Sequence, residues 1–150
     1  EAYYAIRILH ILSMAMWFAT PLLVTSDLRK TITRGKPHTE LVIARIERAL
    51  FVATIGAGLT IATGLALIFT LGGFKAIHPR IHAGFALALV TLAVEFFLVR
   101  GALGKVESAI ETDKTKDLGP VVSRFSMLIG ITHLLKLVIL VLMVIRIGGR

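Results

Sequence analysis

Three of the five histidines in this chain, His10, His82 and His133, lie inside long apolar stretches. An imidazole can exchange protons or bind a metal, and it is uncommon in a hydrocarbon environment. Charged side chains there cost roughly 2.5 to 3.5 kcal/mol on insertion scales, so ionisable groups usually face a bundle interior and a partner. For these histidines the partner could be a metal ion, a haem, a proton path or another side chain.

The composition predicts that these histidines are carried by membrane-spanning helices. Of the 150 residues 56% are hydrophobic, and the mean hydropathy of +0.85 exceeds that of soluble domains. Four apolar segments each approach the ~20 residues that span a bilayer. We predict one all-α domain, an integral membrane four-helix bundle, with helices over about residues 3–26, 41–71, 79–100 and 121–147.

Two further properties of the chain limit its chemistry. It contains no cysteine, which excludes disulfides, zinc–thiolate sites, thiol catalysis and thioether-linked haem. A metal would have to use histidine, methionine, carboxylate or a bound cofactor. The first apolar segment lacks a small-residue cleavage motif and leads into a basic loop, so we expect a transmembrane helix and not a signal peptide.

The net charge of +8 is distributed as a topology signal. Eleven of the seventeen basic residues lie in the first and third connections, beside the same predicted membrane face. The positive-inside rule places these loops in the cytoplasm and both termini outside. We therefore expect an integral protein of a bacterial cytoplasmic membrane, in contact with lipid head groups. No nucleic-acid recognition motif accompanies the charge, and we expect no nucleic-acid partner.

Two patterns concern the helices themselves. Pro21 removes a backbone donor and predicts a bend in the first helix. Gly56, Thr60 and Gly64 recur every four residues in the second helix, a stripe of small residues that allows a neighbouring helix to approach closely. Close helix packing is the favoured interpretation of this stripe, and contact with a large flat group is the alternative.

Depth in the bilayer separates the three histidines. Taking the midpoint between flanking charges as the centre of each helix, His10 and His82 lie about 10 and 12 Å outward of centre, at a rise of 1.5 Å per residue. The same estimate places His133 about 3 Å to the cytoplasmic side. His10 and His82 can therefore share a partner that His133 cannot reach.

Two imidazoles at one depth on different helices are typical of a helical bundle that binds a b-type haem through both axial positions. Arg7 lies one turn outward of His10, and Arg80 lies at the same surface with Lys75, where haem propionates need cations. A set of neighbouring side chains could line the macrocycle or serve only as packing: Ser13, Met14, Trp17, Phe85 and Ala86. A hydrogen bond to a hydroxyl or carbonyl and direct copper binding are the alternatives for the two histidines.

His133 belongs to a separate polar patch. It is three residues from Lys136, and Glu95 on the third predicted helix is near enough in depth to partner either of them. A structural polar cluster is the favoured interpretation. A proton or substrate role and a second haem ligand at His133 are the alternatives. His38 and His78 fall in connections, where we expect them to be solvated.

The first and third helices resemble those of a known family. LHILSMAMWFATPLLV and RIHAGFALALV are similar to the histidine-containing helices of the family of HemJ-type protoporphyrinogen oxidases and CopD copper-resistance proteins. The resemblance implies a membrane haem b protein with His10 and His82 as ligands. Gly84 stands where HemJ-like sequences have a lysine, two places after the third-helix histidine, which weakens the case for protoporphyrinogen oxidation.

The leading hypothesis is a b-type haem protein with His10 and His82 ligating the iron and Arg7 and Arg80 beside it. It would transfer electrons alone or within a larger redox complex, with a protein redox partner or as a homo-oligomer. One haem b is expected, or two if His133 holds a second. The alternatives are a copper transport or resistance protein using His10, Met14 and Met16, and a structural subunit without cofactor. The sequence has no nucleotide-binding fingerprint, which an independent oxidoreductase could show. Whether the protein is an enzyme is left open.

Overall fold

The chain folds into four long helical rods. A computed structural model describes the backbone of residues 1–112 and 115–144, and the side chains of these residues except 115–117. The helices are α1 (Ala2–Ala19), α2 (Val24–Thr31), α3 (His38–Thr70), α4 (Pro79–Ala93), α5 (Arg100–Glu111) and α6 (Thr115–Val144). The first rod is α1 with α2, the second is α3, the third is α4 with α5, and the fourth is α6. No strand occurs in the described ranges.

All four rods are long and apolar enough to cross a membrane. Their large apolar side chains are widely exposed, including Leu12, Phe51, Phe97 and Leu134. A soluble protein rarely exposes apolar surface on this scale, whereas a bilayer covers it with lipid. The all-helical class and the four apolar helices are thus confirmed, and the surface indicates an integral membrane protein.

The two ends of the bundle differ in packing. We call the end with the 71–78 connection the hairpin end and the opposite end the basic end. At the basic end, one buried cluster joins all four rods; it comprises Val24, Leu28, Val42, Ile43, Ile46, Leu50, Val99, Ala102, Leu103, Val106, Val122, Phe125 and Ile129. A second cluster fills the middle of the bundle and comprises Met14, Trp17, Ala53, Ala57, Ala88 and Ile139. Among the described residues of α1 and α4, the fully buried part of neither cluster extends past Met14 or Ala88 toward the hairpin end, although Leu87 packs against the middle cluster.

The helix interruptions follow from local sequence. Helix α1 ends at Ala19 and α2 begins at Val24, so the helix is interrupted at Pro21, where a bend is predicted. Gly35, with φ of 68°, turns the chain between the first two rods. At the hairpin end, His78 caps α4 by accepting the backbone N–H of Arg80, and Pro79 takes the first helical position.

The observed helix bounds differ from the predicted ones at the basic end. The first rod continues to Arg34 and the third to Glu111, beyond the ends expected near residues 26 and 100. These extra turns are polar on one side and apolar on the other, and their apolar side packs into the basic-end cluster. The predicted end of the fourth helix near residue 147 lies outside the described residues, as do Lys114, Arg146, Arg150 and the side chain of Lys116.

Candidate functional site

A buried ion pair lies in the middle of the bundle. Lys136 of α6 is completely buried, and its Nζ lies 2.5 Å from Oε1 of Glu95 on the third rod. The other carboxylate oxygen, Oε2, accepts the indole N–H of Trp17 at 2.6 Å. Three of the four rods therefore meet through charged and polar groups.

The Lys136 ammonium has further partners in the first rod. It donates to the backbone carbonyl of Trp17 at 3.0 Å, and it lies 5.2 Å from the centre of the Trp17 ring, within reach of a cation–π interaction. Both Glu95 oxygens and the ammonium are thus partnered. We call Trp17, Glu95 and Lys136 the central triad.

The local backbone accounts for how the triad assembles. Glu95 lies in the π-helical turn Val94–Val99, whose extra residue per turn rotates the following helix relative to the preceding one. Such turns are frequent at functional sites. On the other side, Gly56 of α3 allows close approach of the first rod, because an added Cβ there would lie only 2.8 Å from the Trp17 backbone nitrogen. Close packing at the glycine stripe is thereby confirmed.

His10 is fixed against the second rod. Its Nδ1 lies 2.9 Å from Oγ1 of Thr63, and that hydroxyl donates to the carbonyl of Leu59 at 2.6 Å. When the Thr63 hydroxyl donates to Leu59 it accepts from His10, and Nδ1 then carries the imidazole proton. In that tautomer the lone pair of His10 is on Nε2. Gly64 makes room for the ring, since an added Cβ there would lie 3.2 Å from Cε1 of His10.

His82 lies apart from His10 in its contacts. It is exposed on the first turn of α4, and its ring lies 5.9 Å from that of Phe74, tilted by 31°. Among the described residues, no hydrogen bond or ring contact joins His10 to His82. The structure thus places both histidines toward the hairpin end but does not bring them into direct contact.

The other predicted lining residues are mostly engaged in packing. Met14 and Trp17 belong to the middle cluster, and the hydroxyl of Ser13 donates to the carbonyl of Leu9. From the sequence, Trp17 is expected to pack in the core or to line the macrocycle. Its hydrogen bond to Glu95 is not predicted. Phe85 contacts the ring of Phe74, which places it beside His82. Three basic side chains lie at this end: Arg7 and Lys75 are exposed, and Arg80 is partly buried at the start of α4.

His133 is not part of the ion pair. Its Nδ1 lies 2.9 Å from the carbonyl oxygen of Ile129, one turn earlier in α6. Its ring meets that of Phe18 edge to face at 5.6 Å. The sequence predicts that Glu95 contacts either His133 or Lys136. In the structure its partner is Lys136. Within the described part of the chain, the buried Nε2 atom of His133 has no hydrogen-bond partner.

The positions of Met14 and Met16 do not favour copper binding. Met14 is buried among alanines of the second and third rods, and the methyl carbon of Met16 lies 3.2 Å from where a Cβ would stand on Gly56. Both thioethers therefore contribute to packing. Within the described ranges, no group of three or more histidine, aspartate or glutamate side chains could hold a metal ion.

Comparisons with known proteins identify no relative: no family model, curated protein or solved structure matches the chain. A function therefore has to be assigned from the geometry of the two centres, the central triad and the histidines toward the hairpin end.

Proposed function

We propose that this protein binds one b-type haem toward the hairpin end of the bundle, with His10 and His82 as axial ligands, and transfers electrons. It does so alone or as a subunit of a larger redox complex. The observation that carries the proposal is the hydrogen bond of His10 to Thr63, which leaves the Nε2 lone pair for an axial position. Ligating histidines in proteins commonly donate their second N–H to such a partner, which fixes tautomer and ring orientation.

The packing supports a flat ligand in this region. Helix α1 packs chiefly on α3, and α4 packs chiefly on α6, so His10 and His82 belong to different helix pairs. On their own helices, the middle cluster stops at Met14 and Ala88, one to two turns inward of the two histidines. A macrocycle placed between the α1–α3 pair and the α4–α6 pair would contact side chains of both pairs.

The charges at this end are suited to haem propionates. Arg7 is one turn from His10, and Arg80 is two residues from His82. Guanidinium groups bind carboxylates through paired, charge-assisted hydrogen bonds. A bound haem would supply one-electron redox chemistry, while the chain would hold its axial nitrogens and propionates in place. We further propose that the hairpin end faces outward from a bacterial cytoplasmic membrane, as the basic loops indicate.

Electron transfer is favoured over porphyrin oxidation by the surroundings of Gly84. This residue is buried, and an added Cβ would lie 2.8 Å from Cε of Met143. A lysine at this position, as in HemJ-like proteins, would require α6 to be displaced or Met143 to turn away. Met143 is a flexible, exposed side chain, so the difference that counts against porphyrin oxidation is the missing cation at Gly84.

Absorption spectroscopy of the purified protein tests the proposal. We expect a Soret band and sharp reduced α and β bands, and their loss in His10→Ala and in His82→Ala. His38→Ala is the matched control, because His38 is exposed at the basic end. Its spectrum should equal that of the unsubstituted protein.

Three outcomes would contradict the proposal in different ways. A colourless protein with stoichiometric copper would favour the copper-transport alternative. A colourless protein without metal, even after incubation with haem, would favour a structural subunit. Loss of the bands in only one of the two alanine variants would retain haem binding but reject bis-histidine ligation.

A further inference from the structure

Two buried polar atoms in α6 have no hydrogen-bond partner within the part of the chain that the structure describes. They are Oγ of Ser126 and Nε2 of His133. Buried polar groups in proteins are nearly always paired, because an unpaired one has given up its hydrogen bonds to water without replacement. Two such atoms on one helix mark places where a buried water could bind.

The two atoms lie along one face of the helix. Residues seven apart in an α-helix are almost two full turns apart and point within about 20° of the same direction. Ser126 is at the level of the basic-end cluster, between Phe125 and Ile129, which both belong to it. His133 follows two turns deeper, and Lys136 comes one turn after that. The face thus leads from the basic end to the central triad.

The protonation of His133 can be read from its hydrogen bond. A backbone carbonyl only accepts, so the contact of Nδ1 with the Ile129 oxygen requires the proton to be on Nδ1. Nε2 then carries a lone pair. A buried imidazole with a free lone pair can take up a proton, which makes His133 a proton acceptor on this face.

The triad at the end of this face offers a second acceptor. Glu95 is the only member that is not completely buried: its side chain is 12% exposed, whereas Lys136 and Trp17 are at 0%. An ionisable group at this depth is most often associated with a pathway for ions, protons or substrate. Both carboxylate oxygens already have partners, so a proton reaching Glu95 would have to share an oxygen with Lys136 or Trp17.

We propose that Ser126 and His133 form a proton path from the basic end to the Glu95 carboxylate. Water bridges the gaps between the side chains. A proton from the basic-end solvent binds the Nε2 lone pair of His133, giving an imidazolium, and then leaves Nε2 through water to an oxygen of Glu95. The carboxylate becomes a neutral carboxylic acid, His133 returns to its neutral form, and Lys136 keeps its charge. This path does not depend on the proposed haem.

The single tryptophan of the chain provides a direct measurement. The Trp17 indole N–H donates to Glu95, so its exchange with solvent requires this hydrogen bond to open and water to reach the carboxylate, as the proposed path needs. We propose to label tryptophan with 15N, place the full-length protein in nanodiscs, and follow loss of the single indole signal after transfer to D2O. Exchange should be much faster than for the backbone amides of α6 near Ile139.

Substitutions of the path should slow this exchange. His133→Phe keeps a ring against Phe18 but removes the acceptor, and we expect exchange about 100-fold slower, the lower range for a positioned proton-transfer group. Ser126→Ala should slow it by a smaller factor. Ser123→Ala is the matched control, since Ser123 is exposed one turn earlier in α6, and it should exchange as the unsubstituted protein does.

The opposite results would overturn the proposal. Indole exchange as slow as the neighbouring amides, or unchanged in both His133→Phe and Ser126→Ala, would mean that the triad is a sealed structural contact. Thermal unfolding of each variant in the same nanodiscs identifies any that fail to fold. Because the readout is the indole proton, it gives an answer whether or not the protein binds haem.

Discussion

The middle of the bundle and its hairpin end treat polar groups in opposite ways. In the middle, the carboxylate of Glu95, the ammonium of Lys136 and the indole of Trp17 satisfy one another inside a packed cluster. Toward the hairpin end, His10 is hydrogen-bonded to α3, and His82 is exposed beside Phe74. A closed set of partners contributes to holding helices together, whereas an imidazole with a free lone pair is suited to binding something else.

This contrast separates stability from ligand binding. Substitutions in the central triad should change the free energy of unfolding most, because they leave a buried charge or donor unpaired. Substitutions around His10 should change the absorption spectrum more than the stability. Single substitutions can test that separation, and those in the triad should have the largest effects.

Lys136→Met should cause the largest loss of stability. Removing the ammonium leaves the Glu95 carboxylate buried without its charge partner, and breaking a buried pair in this way costs about 3 to 5 kcal/mol. Denaturant unfolding in detergent micelles, followed by circular dichroism, measures the difference in free energy of unfolding.

The matched control for this prediction removes both charges. Glu95→Leu combined with Lys136→Met should recover most of the stability, because apolar replacement of a whole buried pair is often neutral or stabilising. If the double variant were as unstable as the single one, the loss would come from packing and not from the unpaired charge.

Trp17→Phe should have the next largest effect. Phenylalanine keeps an aromatic ring in the middle cluster but cannot donate to Glu95, and a hydrogen bond to a charged group contributes about 1.5 to 3 kcal/mol. The same unfolding measurement applies. In the background of the Glu95→Leu and Lys136→Met pair, the substitution should cost less, since its acceptor is already gone. Equal costs in both backgrounds would exclude a role for the indole hydrogen bond.

Gly56→Ala should destabilise the contact between the first two rods. Its Cβ would lie 2.8 Å from the Trp17 nitrogen, so the backbones would have to separate, and overpacking of this kind costs about 1 to 3 kcal/mol. Gly58→Ala is the control, because no atom of the described residues lies within 4 Å of its added Cβ. It should stabilise the helix by up to about 1 kcal/mol. Effects of the same sign at both positions would contradict close packing at Gly56.

Much of the fold could be predicted because a bilayer places strong demands on sequence. Each span needs about 20 apolar residues, so the four helices are visible from hydropathy alone. Depth along a helix follows from residue number, and it places Glu95 within about two turns of both His133 and Lys136 without deciding between them. The bend at Pro21 followed from its missing backbone donor.

The parts of the site that could not be predicted depend on rotation about the helix axes. In a bilayer every face of a span can be apolar, so the hydrophobic pattern does not reveal which face points inward. The π-helical turn at Val94–Val99 changes that rotation partway along the third rod, without a proline or glycine to mark it. Trp17 therefore had no visible connection to Glu95. The predicted depths of His10 and His82 in the bilayer are similar. Depth does not define the direction of a side chain around its helix, so the contact of His10 with Thr63 was not predicted.

Thr63→Val should have the smallest effect on stability and a distinct effect on ligand binding. Valine keeps the shape but cannot accept the Nδ1 proton of His10, and losing one such hydrogen bond costs about 1 kcal/mol. Loss of the group that orients a ligating histidine typically weakens binding by about 10- to 100-fold. Haem titration followed at the Soret band measures this change. Thr70→Val is the control, because Thr70 is exposed and its hydroxyl donates within α3. If both valine variants bound haem equally well, His10 would not be a ligand oriented by Thr63, and the hairpin end would lose its contrast with the middle of the bundle.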